Sequence, residues 1–123
     1  MAAEGTTRSF SERQEAAVAN LLGGERTPNS GGGKFRKGDV IVKDANLLVE
    51  CKTCMSDKSS FSIKKDWIDK NKLEAFENRL ENHCLCFNFG PSSKNYFVID
   101  EKLMNVLCGE LKEYYSDIDE INI

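Results

Sequence analysis

No apolar run in this 123-residue chain approaches the roughly 20 residues needed to cross a bilayer, so no membrane-spanning helix is expected. The opening stretch MAAEGTTRSF has neither a basic start nor an apolar segment, which excludes a secretory signal and makes the cytoplasm the expected compartment. No internal repeat is present. Histidine is nearly absent: His83 is the single one, and beside Cys84 it reads as a helix-end residue rather than a metal ligand. The five cysteines are an odd number in a chain without a signal, which argues against a disulfide framework. Cys51 and Cys54 form a C-x-x-C and Cys84 and Cys86 a C-x-C, and four thiolates could hold a zinc ion. The glycines and prolines usual around zinc ribbons are missing, however, and Cys84 and Cys86 sit in an apolar strand-like run. Free cysteine is among the most buried residue types, so no zinc is expected.

What is present is the composition of a soluble globular domain, with 40% apolar and 30% charged residues. The length fits a single domain over 1–123 with a core that needs no staple. The net charge of −3 conceals an asymmetry: Arg26 to Lys72 holds eleven basic residues against six acids, whereas the tail YYSDIDEINI is acidic. Local sign matters more than total charge for a polyanionic partner, because contacts act within about a Debye length, ~8 Å at physiological salt.

SERQEAAVANLLGG carries helix signals: Ser11 can cap, Gln14 follows three residues on as in a capping box, and Gly23 can take the left-handed terminal position. Residues 1–10 are expected to be flexible. ERTPNSGGGKFRKG is a loop by composition. DVIV and NLLVECKT read as strands joined near KDAN. From Ser62 to Glu81 the apolar residues Ile63, Trp67, Ile68, Leu73, Phe76 and Leu80 fit one helical face. CLCFNFG and NYFVID are two further strands turned by PSSK, and EKLMNVLCGELKEYY is a closing helix before an acidic tail at 115–123. This order predicts an α/β domain with a small mixed β-sheet flanked by helices.

Charges stand inside two of these strands. Residues i and i+2 of a strand share a face, so Glu50 and Lys52 point together while Val49 and Cys51 point the other way. Directly opposed residues of an antiparallel pair also share a face. If Asp39 opposes Glu50 or Lys52, the carboxylates converge; one residue of slip sends them apart. The first register leaves Asp44 and Ala45 as a two-residue loop, the second a loop from Asp44 to Leu47. Either puts Val40 and Val42 on a face with Val49 and Cys51. Two carboxylates repel each other unless a hard divalent cation lies between them, and a lysine beside such a cation suits the charge that develops on a phosphate oxygen. The bland alternative is an Asp at a hairpin entrance with a Glu–Lys surface pair.

The ordered set of a helical Glu15, then Asp39, then the triplet Glu50-Cys51-Lys52 resembles the PD-(D/E)xK nuclease superfamily, although Gly38 stands where the motif has its proline. E-x2-V-A-x2-L-G-G-x-R-T-P-x-S-G, followed by KGDVIV and VECK, is similar to archaeal-type Holliday junction resolvases, especially forms carried by bacteriophages. The similarity covers about Ser11 to Trp67 and extends loosely to CLCFNF and YFVID. It implies a restriction-endonuclease-like core and a Mg²⁺-dependent endonuclease, with Mn²⁺ able to substitute. Asp39, Glu50 and the backbone carbonyl of Cys51 would be metal ligands, Glu15 would help bind metal or orient a water, and Lys52 would be the catalytic lysine. Arg26 and Ser30 match a basic residue and a serine near the scissile phosphate, in a loop that is longer and more glycine-rich here. Lys34, Arg36, Lys37, Lys58, Lys64 and Lys65, together with Arg26, would hold backbone phosphates of branched or duplex DNA. The implied assembly is a homodimer, and the implied setting a phage protein acting in a bacterial host. Another nuclease of the superfamily, of nicking or repair type, and a non-catalytic DNA-binding module stay open as alternatives.

Overall fold

The computed structural model describes residues 7–27 and 39–122. Within them, helices α1 (Thr7–Leu22), α2 (Lys65–Glu77) and α3 (Glu101–Asn122) accompany strands β1 (Glu25–Arg26), β2 (Asp39–Val42), β3 (Leu47–Lys52), β4 (Asn82–Phe87) and β5 (Tyr96–Val98). The strands form one sheet in the order β1-β2-β3-β4-β5. Three neighbour pairs are antiparallel and β3–β4 is parallel, so the domain is α/β with a mixed sheet, as the element order predicts. Among the described residues no helix is long and apolar enough to cross a membrane.

α1 begins earlier than Ser11, so Ser11 lies inside the helix and its assignment as a cap is corrected. Thr7 to Phe10, expected to be flexible, are helical; residues 1–6 lie outside the described residues. No glycine or proline interrupts this stretch, and the Arg13 guanidinium sits 4.6 Å from the centre of the Phe10 ring one turn away. The other end is as expected. Gly23 is left-handed at φ 67° and Gly24 N–H donates to Ala19 O at 2.8 Å, a Schellman closure. A Cβ on Gly24 would lie 2.7 Å from the Ile41 carbonyl oxygen, so this glycine lets the chain run straight into β1 against β2.

The β2–β3 hairpin pairs Asp39 with Glu50, Val40 with Val49, Ile41 with Leu48 and Val42 with Leu47. This is the first of the two registers that a shared carboxylate site requires. The turn is a 3-10 turn over Lys43–Ala45 that ends in Asn46 at φ 54°, where Asn46 N–H donates to Lys43 O at 3.0 Å. Asparagine tolerates that conformation at low cost.

Alternation then sorts the sheet. Val40, Val42, Val49, Cys84 and Cys86 pack with Val18 and Ala19 of α1, with Leu22, Leu47, Cys51 and Ile99 around them. The other face carries Leu48, His83 and Leu85 beneath buried Asn71, Glu74 and Ala75 of α2. Cys84 and Cys86 are thus core residues, and burial pushes the Cys84 thiol up to about 12, so it packs as a neutral group.

α2 is shorter than the Ser62–Glu81 span. It ends in a second Schellman closure, Leu80 N–H to Ala75 O at 2.9 Å and Arg79 N–H to Phe76 O at 3.1 Å, with Arg79 itself left-handed at φ 59°. An arginine at the usual glycine position is why no stop is visible in the sequence there. α3 starts on an Asp100 cap, whose Oδ1 accepts Leu103 N–H at 2.9 Å, and runs through the expected acidic tail to Asn122. Nothing between Tyr115 and Asn122 breaks a helix, so 115–122 is helical rather than a tail. Met104, Leu107, Leu111, Tyr114 and Tyr115 of α3 stay exposed.

His83 is buried, with Nε2 3.6 Å from Asp100 Oδ2. Desolvation holds its pKa below the usual 6.5, against the opposing pull of Asp100; Lys72 and Lys102 reinforce the lowering. A histidine whose folded pKa is depressed stabilises the fold above its unfolded pKa and loses that contribution as pH falls through it. The wild-type denaturation midpoint should therefore drop more between pH 7.5 and pH 5.5 than that of His83→Gln. Equal drops of the urea midpoint in wild type and His83→Gln between the two pH values would refute this account.

Candidate active site

Asp39 and Glu50 face each other across the hairpin on the face that α2 covers, and both are buried, at 1% and 6% exposure. Directly opposed residues of an antiparallel pair hold their Cβ atoms roughly 4.5–5.5 Å apart, close enough for the two carboxyls to share one ion. Lys52 shares the face, with Nζ 3.6 Å from Glu50 Oε2. The same ammonium lies 4.3 Å from the centre of the Trp67 ring at the start of α2. A half-buried cation between a carboxylate and an indole face is held electrostatically on two sides.

Its backbone is held as well. Gln14 of α1 is buried, and its Nε2 donates to the Lys52 carbonyl at 2.9 Å and to Asn95 Oδ1 at 3.3 Å. The Thr53 hydroxyl donates to Gln14 Oε1. Gln14 is therefore not half of a capping box but the residue that ties helix α1 to the end of β3. Its signal in the sequence is its place four residues before Val18, on the stripe that α1 buries.

Glu15 is also buried, and Arg26 Nη2 donates to its Oε1 at 3.3 Å. Arg26 pairs with Val40 in β1–β2, so it belongs to the face opposite Asp39 and Glu50. The Cys51 thiol is pushed up by its hydrogen bond to Cys86 first and then by burial, and the charges of Glu15 and Asp39 add to the shift. Sequence resemblance links Glu15 with Asp39, Glu50 and Lys52. Here Asp39, Glu50 and Lys52 share one face of the sheet, whereas Glu15 is in contact with Arg26, which belongs to the other.

Among the described residues no group of three or more His, Cys, Asp or Glu side chains is placed to hold a metal ion. The donors at hand are two buried carboxylates, with the Cys51 backbone between Glu50 and Lys52. That set suits Mg²⁺, which binds through one or two carboxylates and keeps several waters, better than a thiolate- or imidazole-seeking metal.

The expected phosphate contacts divide. Lys64, at the start of α2, lies with Nζ 5.6 Å from the Trp67 ring centre, and Lys58 is exposed. Lys65 is engaged with Asp69 at 2.7 Å. Ser30, Lys34, Arg36 and Lys37 lie outside the described residues. Comparison of the chain with protein-family models, curated proteins and solved structures finds no match.

Replacing Gln14 by Leu removes the donors to Lys52 and Asn95 and leaves partly buried acceptors behind. Unfolding free energy should fall by about 1–3 kcal/mol, read by urea denaturation. A variant as stable as the wild type would mean that Gln14 does not anchor β3.

Proposed function

We propose that the protein is a Mg²⁺-dependent, structure-selective DNA endonuclease with a restriction-endonuclease-like core, which resolves four-way junctions as a homodimer. The observation that carries this reading is the Asp39–Glu50 pairing with Lys52 on the same face. Burying two acids side by side, next to a half-buried lysine, costs desolvation and like-charge repulsion, and such costly groupings cluster at functional sites. The path from α1 through the hairpin to α2 and the parallel β4 is consistent with such a core.

Asp39, Glu50 and the Cys51 carbonyl would hold the metal, which when bound supplies charge stabilisation to the attacking and leaving oxygens of a phosphodiester. Lys52 reaches a non-bridging phosphate oxygen from the place where Glu50 and Trp67 hold it, and offsets charge as it develops there. Gln14 keeps the lysine backbone from shifting. The resemblance gives Glu15, held by Arg26, the role of orienting a water from the α1 side of the sheet. Lys58 and Lys64 steer the DNA backbone without reading bases. A two-fold dimer suits a substrate that needs two matched cuts, and the exposed apolar stripe of α3 is a surface of the kind such a dimer buries.

Glu50→Gln and Asp39→Asn should each lower Mg²⁺-dependent cleavage of a four-way junction on the order of 100-fold or more, with junction binding retained. Lys52→Ala should lower the rate strongly with less effect on metal binding. Near-normal cleavage by Glu50→Gln would remove the assigned centre. A linear duplex of the same sequence, cut as fast as the junction, would point to a nicking or repair nuclease instead.

Junction affinity should fall steeply with salt. Lys64→Ala should reduce the salt slope by about one, and Lys65→Ala by less because Asp69 already engages Lys65. The reverse ranking would place the DNA elsewhere on the surface.

A further inference from the structure

Beside Lys52 lies a run of aromatic rings of which the hydrolytic reading uses only Trp67. Trp67 and Phe61 lie 6.1 Å apart between centroids. Phe61 stacks on Phe87 at 4.8 Å, and Phe87 stacks in turn on Tyr96 at 5.8 Å. Phe89 meets both Phe87 and Tyr96 edge-on. Phe87 is thus sandwiched, and the ladder runs from Trp67 at one end to Tyr96 at the other. It is not a closed core: Phe61, Trp67, Phe87 and Phe89 are each partly exposed, and Tyr96 is 42% exposed.

Position ties the ladder to the site. Lys52 pairs with Phe87 across β3–β4, and Phe87 with Tyr96 across β4–β5, so the three side chains form one row on one face. Asp39, Glu50, Leu85 and Val98 form the adjacent row. Two strand spacings separate Tyr96 from Lys52, roughly 10 Å. The surroundings are cationic: Lys52 and Lys64 lie over Trp67, Lys58 N–H donates to Phe89 O at 2.6 Å, and Lys94 precedes Tyr96 by two residues. Among the described residues Lys58, Lys64 and Lys94 make no ion pair. Asp57, the nearby acid, is engaged by the Ser92 hydroxyl at 2.7 Å. The loops beneath are pinned, with Cys54 N–H donating to Asn88 Oδ1 and no room for a Cβ on Gly90 against Asp57. The rings are therefore pre-set.

We propose that this ladder is a stacking platform for an unpaired nucleobase, with Tyr96 as the open rung and the base belonging to a nucleotide next to the phosphate held at Lys52. The proposal rests on the nuclease reading of the same site and names what its substrate must offer: DNA with an unpaired or easily unstacked base beside the cut. Partly exposed aromatics within a basic surface are the recurring means of holding single-stranded nucleic acid, because every base has a π-face. Bases already unpaired cost least to place there.

The test uses the full chain in EDTA, so that binding is read without cleavage. The probe is a short oligothymidylate carrying one 2-aminopurine, single-stranded or annealed to its complement, and the signal is 2-aminopurine quenching. Wild type should quench the single strand on binding. Tyr96→Leu keeps apolar bulk but has no ring, and should weaken single-strand binding roughly five- to hundredfold, while Tyr96→Phe stays within about twofold of wild type. Duplex affinity should change little in either variant. Circular dichroism melts establish that both variants fold. The platform is overturned if wild type does not quench the single strand, if Tyr96→Leu binds it as wild type does, or if the Leu and Phe variants weaken alike. Cleavage of the junction by wild type in Mg²⁺, measured separately, judges the nuclease reading. A protein that quenches through Tyr96 and cuts nothing refutes that reading alone, and one that cuts but fails the Tyr96 comparison refutes the platform alone.

Discussion

The pairing of Asp39 with Glu50 is the constraint on which the rest of the molecule depends. Side chains alternate along a strand, so one residue of slip between β2 and β3 would exchange the two faces of β2. Asp39 and Ile41 would then point toward α1, and Val40 and Val42 toward α2. The slip is opposed from both sides: a buried carboxylate is poorly tolerated in an apolar core, and Val40 and Val42 would lose their burial. The turn adds its own selection through the left-handed Asn46, which closes the hairpin with Val42 and Leu47 as the last pair. Core packing and the alignment of two acids are thus satisfied by the same register.

Lys52 stands where several elements meet. Its ammonium lies between the Glu50 carboxylate and the Trp67 ring, and its carbonyl is held by Gln14 of α1. These contacts come from β3, α2 and α1, so the lysine occupies one position only when both layers of helix are in place. A cation fixed in this way loses little conformational freedom when it meets an anionic ligand, which is the physical content of a pre-organised site.

Much of this was legible from residues alone. The acids and lysine at strand spacing stated their own requirement for register, and the hairpin meets it. The α1 stop was visible because two glycines mark it, whereas the α2 stop was hidden because Arg79 takes the conformation that glycine usually supplies. The two-residue β1 was too short to carry periodicity; the close approach of Gly24 to Ile41 brings it into the sheet. Gln14 was misread because capping and burial use the same residue type, and only the third dimension separates them. The aromatic ladder draws its rings from residues 61, 67, 87, 89 and 96, which no local pattern connects; the β4–β5 pairing joins Phe87 to Tyr96, the crossover between β3 and β4 supplies Phe61 and Trp67, and the parallel pairing of β3 with β4 sets the ladder beside Lys52.

That parallel pairing also sets an order of assembly. The hairpin from Asp39 to Lys52 closes through neighbouring residues, and hairpins form in about 1–10 μs. The β3–β4 contact must wait for residues 53–81 to loop back, and contacts of long sequence separation form later and more slowly. The acid pair is thus a local contact, whereas the rings around Lys52 depend on long-range closure, so the full grouping requires the whole sheet.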